Sequence, residues 1–72
     1  MLKEGSIIKL GGKYEYVVVF STMYKNSNYI FVTNIDTPED SCFYENDNSG
    51  RLHLVKDCNV IKALLELYEN KN

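Results

Sequence analysis

Two cysteines and one histidine are the residues of this chain whose side chains could act as nucleophiles, bases or soft metal ligands. They are Cys42, Cys58 and His53. A structural zinc site normally takes four such ligands, so this set is one short. A nucleophilic cysteine needs an oriented base, and nothing in the sequence would orient a Cys–His pair. We therefore predict no catalytic residue, no metal and no cofactor.

The two cysteines in principle allow one disulfide bond. However, Met1 to Gly5 lack the charged-then-apolar plan of a signal peptide, and no stretch approaches the roughly 18 apolar residues of a membrane span. The expected location is cytoplasmic, where thiols stay reduced. Cys42 and Cys58 are then predicted to be small buried hydrophobic residues.

Chain length and motif content both argue against an enzyme. Seventy-two residues make one domain, 1–72, which buries only roughly 60% of the unfolded chain's surface and leaves few side chains for a cleft. Gly11-Gly12 is followed by neither GK[ST] nor a helix, so it is a turn and not a phosphate loop. The sequence contains no HExxH, CxxC or calcium-loop pattern. What remains is a binding function.

Acidic residues form the strongest electrostatic feature. The net charge is −2, which does not attract a phosphate backbone. Five acids fall within twelve residues that contain no lysine or arginine: Asp36, Glu39, Asp40, Glu45 and Asp47. They form either a solvated loop that blunts a sheet edge, or a negative patch that docks into a basic groove, as an inhibitor imitating nucleic acid would.

Aromatic residues offer a second candidate contact. Six tyrosines and three phenylalanines could stack bases, but such platforms come with clustered basic residues, and the lysines here are scattered. Most rings are therefore assigned to strands and core. Tyr24, in a predicted hairpin loop beside Lys25, is either an exposed anchor for a partner or a ring folded back on the sheet.

The elements that must position these residues are short strands followed by one helix. Hydrophobic alternation and turn residues predict strands at about 6–10, 14–20, 28–33, 41–45 and 51–55, with a helix at about 58–70. Gly11-Gly12 predicts a two-residue hairpin turn. The fold class is α+β: a small antiparallel meander of four or five strands, curled or SH3-like, with the helix packed on it.

The helix is predicted from a change of period after Asp57. Apolar residues recur on one helical face: Val60, Ile61, Leu64, Leu65 and Tyr68. Asp57 or Asn59 can cap the first turn by accepting a hydrogen bond from a backbone N–H. The stripe is expected to pack on the sheet; the alternative is a helix that binds a partner.

Between Gly12 and Tyr68 the chain resembles the YrzB-like family of small bacterial proteins. The resemblance lies in "GGKYEYVVVFSTM", "NSNYIFVTNIDTPED", "CFYEND" with the following "SGRLHLVKD", and the closing helix. This chain is less acidic than that family, which supplies no catalytic residues to carry over. The opening "KEGSIIKLGGKYEYVVV" is also similar to the first hairpin of SH3-like barrels, which often bind nucleic acid or peptides.

The sequence therefore predicts a small non-enzymatic protein that regulates or inhibits a larger cytosolic protein. A phage-type inhibitor of a host nucleic-acid enzyme, such as an anti-CRISPR, fits an acidic fold without an active site, and the abundance of Lys, Asn, Ile and Tyr fits an AT-rich genome. One alternative is an SH3-like nucleic-acid-binding module that uses Lys9, Lys13, Lys25 and Arg51. Another is a housekeeping subunit, such as a homodimer joined through an edge strand.

Overall fold

The structure, a computed structural model, describes residues 2–70 and contains one antiparallel sheet and one helix. The five strands lie side by side in chain order, so the sheet is a meander. The elements are β1 (Ile7–Leu10), β2 (Tyr14–Tyr24), β3 (Ser27–Asn34), β4 (Ser41–Asn46), β5 (Leu52–Leu54) and α1 (Cys58–Glu69). The sheet curls into a half-barrel, and the predicted α+β class is confirmed.

Two hairpin turns differ from the prediction. Leu10 pairs with Tyr14, so the first connection has three residues and not two; both of its glycines have positive φ. The polar loop predicted after β2 is instead a two-residue turn, Lys25-Asn26, in which both φ angles are positive. Such a turn matches the twist of the flanking strands. This lets β2 continue to Tyr24, four residues beyond the predicted end.

A bulge at Val19 changes which face of the sheet the side chains of β2 occupy. Val18 pairs with Val32, but Phe20 pairs with Phe31, so Val19 is an extra residue on β2. Side chains alternate along a strand, and one extra residue moves the following ones to the opposite face. Phe20 therefore lies on the other face from Val18. The unbroken apolar run in β2 serves two cores.

The two cores lie on opposite faces of the sheet. The first is built on the buried residues Tyr16, Val18, Ile30 and Val32. Side chains from both edge strands, including Ile8 and Leu52, pack against this first core, as expected for the inner face of a curled sheet. The second core is built on Phe20, Phe43 and Leu64, and α1 covers it.

α1 is capped and docked as its sequence predicts, except at one residue. Asp57 is the N-cap, and its Oδ1 accepts a hydrogen bond from the backbone N–H of Asn59 at 2.9 Å. Leu64 is fully buried, and the Tyr68 ring lies 5.3 Å from the ring centroids of Phe20 and Phe31. Leu65, predicted to pack with this stripe, is 39% exposed.

Leu64→Ala is expected to lower the free energy of unfolding by about 2–5 kcal/mol, because it leaves a cavity in the second core. Leu67→Ala is the matched control on the same helix: Leu67 is 38% exposed, and the change should stay within about 0.5 kcal/mol. Urea unfolding followed by circular dichroism measures both variants. Equal losses would contradict the docking of α1.

Candidate functional site

The five predicted acidic contact residues do not form one patch. Asp36, Glu39 and Asp40 lie in the loop between β3 and β4, whereas Glu45 lies near the end of β4 and Asp47 follows it. The six residues of β4 separate the loops at its two ends by roughly 17 Å, at 3.4 Å per residue. The acidic segment is thus divided between opposite ends of the sheet.

Asp40 has a structural role in its loop. Its Oδ2 accepts a hydrogen bond from the hydroxyl of the buried Tyr16 at 2.6 Å and a longer one from Asn34 Nδ2 at 3.4 Å. Asn34 Oδ1 accepts from the backbone N–H groups of Asp36 and Thr37. These bonds hold the loop in one shape. Within residues 2–70 the carboxylate of Asp36 accepts no hydrogen bond.

Asp47 organises the loop between β4 and β5. Its Oδ1 accepts hydrogen bonds from Ser49 N, Ser49 Oγ and Arg51 N, at 2.7 to 2.9 Å. Its Oδ2 lies 2.7 Å from His53 Nε2. The bonds from Ser49, then those from His53 and Arg51, lower the pKa of Asp47 well below its usual range. The carboxylate is occupied within its own loop.

Glu45 and Tyr24 lie near the same end of the sheet as Asp47. Glu45 is half-buried and stands opposite His53 on β5 and Tyr29 on β3. Tyr24 ends β2, is half-buried, and packs against the second core with its ring centroid 6.3 Å from that of Tyr29. Lys25 Nζ lies 5.5 Å from the Tyr24 ring centroid. This is the arrangement of a ring folded back on the sheet.

A small polar cleft lies between the β2–β3 turn and the end of β4. Its volume is about 110 Å³, and Asn26, Glu45 and Asn48 are among the residues that line it. The cross-strand pair Asn28 and Asn46 also contributes, and each of these side chains has a buried Oδ1 without a hydrogen-bond partner in residues 2–70. Unpaired buried amides cost stability, so this is a weak point of the sheet.

The two cysteines and the histidine do not form a reactive group. Cys42 is half-buried, and burial raises the pKa of its thiol. Cys58 is the exposed first residue of α1, so the prediction that it is buried is wrong. Both thiols are free, and His53 is bound to Asp47. Across residues 2–70, no group of three His, Cys, Asp or Glu side chains could hold a metal ion.

A groove lies between α1 and the strands. It encloses about 310 Å³ and is lined mainly by apolar side chains. The residues of this helix-side groove are Phe31, Ser41, Cys42, Phe43, Val55, Ile61 and Leu65. The partial exposure of Leu65, which breaks the predicted stripe, follows from its position at the groove. Sequence periodicity alone did not indicate it.

The groove is continuous with a row of side chains that α1 leaves uncovered. Register places Ile7, Val17, Thr33 and Ser41 side by side across four strands, on the face that carries α1. We call these four residues the open row. Ile7 is 61% exposed and the other three are half-buried. Thr33 Oγ1 and Ser41 Oγ share a hydrogen bond of 2.9 Å, which leaves the row less polar than its composition indicates.

The basic residues proposed as phosphate contacts are also divided. Lys9 is on β1 and Lys13 is in the β1–β2 turn, whereas Lys25 is in the β2–β3 turn at the far end of β2. Arg51 lies in the loop before β5, near the same far end. These four residues therefore form two separate pairs of charges and not one continuous basic track for a phosphate backbone.

Comparison of the chain with known protein families, with curated proteins and with solved structures finds no match. The resemblance to the YrzB-like family therefore stays a prediction. No helix within residues 2–70 is both long and apolar enough to cross a membrane. The fold and its surface define a small α+β protein, and its function must be argued from that surface.

Asp47→Asn is expected to destabilise the chain at neutral pH, with a difference from the wild type that shrinks in acid. Because the pKa of Asp47 is lower in the folded chain than its ordinary 3.8, its contribution is complete above about pH 4 and is lost as the pH falls further. Urea unfolding from pH 7 to pH 2 measures this. Asp36→Asn, which removes a carboxylate that accepts no hydrogen bond within residues 2–70, is the control and should unfold with the wild type at pH 7. Parallel curves for Asp47→Asn and the wild type from pH 7 to pH 2 would contradict the role of Asp47.

Asp40→Asn is expected to lower the pKa of Tyr16. The hydrogen bond to Asp40, with burial as a second cause, raises that pKa above the usual 10.0, because the carboxylate stabilises the protonated hydroxyl. Titration of the Tyr16 ring signals by NMR, with circular dichroism as a check on folding, measures the change. The neighbouring change Glu39→Gln should leave Tyr16 as in the wild type. An unaltered Tyr16 titration in Asp40→Asn would disprove the bond.

Proposed function

We propose that this chain is a small non-enzymatic binding protein that regulates or inhibits a larger cytosolic protein by covering part of its surface. The observation that carries the proposal is the helix-side groove together with the open row. Both features lie on the sheet face that carries α1, and both expose apolar side chains that α1 does not cover. Among the exposed large apolar residues, Ile7 and Leu65 belong to these two features, whereas Tyr14, Met23, Ile35, Leu54 and Leu67 are exposed elsewhere.

The apolar part of the proposed contact is a shallow groove with α1 along one side. Phe31 and Phe43 form the floor, Ile61 and Leu65 the helix side, and Ile7 stands free at the far end of the open row. Exposed contiguous apolar surface on a small protein is typical of an interaction site. An apolar or aromatic side chain of the partner would fill the groove and supply most of the affinity.

The acidic part of the contact is the loop between β3 and β4. It borders the groove directly, because Ser41 Oγ, on a groove residue, donates to the backbone oxygen of Pro38 at 2.8 Å. Asp36 and Glu39 are exposed in this loop, and within residues 2–70 neither carboxylate accepts a hydrogen bond. They are available to a basic rim on the partner, with attraction that weakens as salt rises. Of the five predicted acids, these two suit a contact best.

A nucleic-acid enzyme is the class of partner that this combination fits best. Its binding cleft carries clustered lysines and arginines, which an acidic loop can engage in place of a phosphate backbone. A phage-encoded inhibitor of such a host enzyme, including an anti-CRISPR, would work in this way. Inhibition requires no chemistry from the chain, only occupancy of the cleft.

The test is capture of a partner from a lysate of the host cell by four matched baits. The wild type should retain a protein at low salt and lose most of it at high salt. Leu65→Asp, in the groove, and the pair Asp36→Lys with Glu39→Lys should each reduce retention at least tenfold. Leu67→Asp, exposed elsewhere on α1, is the control and should bind like the wild type.

The captured protein is then assayed for its own activity with and without saturating chain. Loss of activity supports inhibition. Capture that is equal for the wild type and the groove variant, or no capture by any folded bait, would disprove the proposed surface. A gel-shift titration with mixed DNA and RNA tests the alternative: micromolar binding with a steep salt dependence would favour a nucleic-acid-binding module.

A further inference from the structure

β5 is an edge strand, and its hydrogen bonds to β4 determine which of its backbone N–H and C=O groups point away from the sheet. On its inner side it pairs with β4. The backbone N–H of Val55 donates to Phe43 O, and that of Asp47 donates to Arg51 O. In an antiparallel ladder such hydrogen-bonded positions alternate with positions that point away from the partner strand. The backbone N–H and C=O groups of His53 therefore point toward β4, and those of Leu52 and Leu54 point outward.

The side chains of β5 follow a matching pattern. Leu52 and Leu54 lie on the same face of the sheet, opposite Asn46 and Tyr44 of β4. Leu52 is half-buried against the first core, but Leu54 is 47% exposed at the edge. Leu52 and Leu54, whose backbone groups point outward, thus also carry apolar side chains that can pair across the edge.

We propose that two copies of this chain associate by antiparallel pairing of β5 with β5, around a two-fold axis at His53. This register places Leu52 of each copy opposite Leu54 of the other. Each Leu52–Leu54 pair can exchange two backbone hydrogen bonds, so the junction gains four. The five-stranded sheet becomes a continuous sheet of ten strands.

The occupant of this edge is argued from the self-complementarity of the strand. The sequence Arg51 to Lys56 has leucines placed symmetrically about His53, so the two-fold operation brings apolar side chain against apolar side chain. Arg51 of one copy falls opposite Val55 of the other. Lys56 falls opposite Gly50, and at the axis His53 of one copy falls opposite His53 of the other, each held by Asp47 of its own chain.

The other edge of the sheet is less suited to the same pairing. On β1 the backbone N–H of Val18 donates to Ser6 O, so by alternation Ile7 and Lys9 carry the outward groups. A two-fold axis at Ile8 would set Ile7 against Lys9 of the second copy. A lysine at this position is a common device that keeps an edge strand unpaired. β5 has no charged residue among its three.

The expected association is weak, because three residues per copy make a small interface. We expect a dissociation constant on the order of 0.1–1 mM at neutral pH. The pairing sets Arg51 of the second copy beside Val55, which lines the helix-side groove, but it does not involve Leu65. Leu65→Asp and Leu54→Lys therefore distinguish loss of a complex with a larger protein from loss of the dimer.

Two measurements on the wild-type chain test the pairing. Sedimentation equilibrium up to about 1 mM, above the lower end of the expected range, should show mass rising from 8.3 kDa toward twice that value. Hydrogen exchange by NMR should show protection of the Leu52 and Leu54 amides that increases with concentration. The amides of Glu45 and His53, already bonded inside the β4–β5 ladder, should not change.

Variants separate this edge from any other contact. Leu54→Lys should weaken association at least tenfold, because it sets a charge against Leu52 of the second copy. Leu54→Pro removes an outward N–H without breaking the β4–β5 ladder and should do the same. Met23→Lys is the control: Met23 is 63% exposed on β2, away from β5, and its loss should leave association unchanged.

The outcomes are distinct. Concentration-dependent protection confined to Leu52 and Leu54, lost in Leu54→Lys, supports the dimer. A monomeric mass across the whole range would overturn the proposal. Association that survives Leu54→Lys but fails in Met23→Lys would also overturn it, since the contact would then lie elsewhere on the chain.

Discussion

The pairing of Phe20 with Phe31 across the bulge at Val19 is the contact on which the rest of this structure depends. Without the extra residue, Phe20 would share a face with Val18, and the helix would meet a sheet surface with no aromatic side chain from β2. With it, one strand contributes to both cores, and a chain of 72 residues covers both sides of a sheet. So small a domain has little surplus stability, so each such contact matters.

The two-sided sheet also determines which apolar surface is left uncovered. α1 has twelve residues, enough to cover the second core but too few to cover the whole face. The open row and the groove beside Leu65 are what the helix leaves over. Two of the five acids are used to shape loops: Asp40 holds Tyr16, and Asp47 holds Ser49, Arg51 and His53. Negative charge that sequence inspection assigns to binding is therefore partly structural. Asp36, Glu39 and Asp40 are all exposed in the loop beside the groove, but within residues 2–70 Asp40 accepts hydrogen bonds and the carboxylates of Asp36 and Glu39 do not.

Much of the fold could be predicted from local chemistry. The strands, their order as a meander and the capped helix follow from alternation, turn residues and the helical period, because these signals lie within a few residues of the elements that they set. The Val19 bulge could not be predicted, since a continuous apolar run is compatible with either face. The division of the acids was missed because closeness in sequence was taken as closeness in space, although β4 runs between them. The groove was missed because the helical spacing of apolar residues predicts that Leu65 packs on the sheet. That spacing does not indicate how much of the sheet the helix covers.

The central claim is that the bulge sends Phe20 and Val18 to opposite faces. Nuclear Overhauser contacts in the free chain test it directly. The account predicts contacts from the Phe20 ring to Leu64 and Tyr68, and from Val18 to Val32 and Ile30, with none joining the Phe20 ring to the side chain of Val32. Contacts between the Phe20 ring and the Val32 side chain, with none to α1, would contradict it.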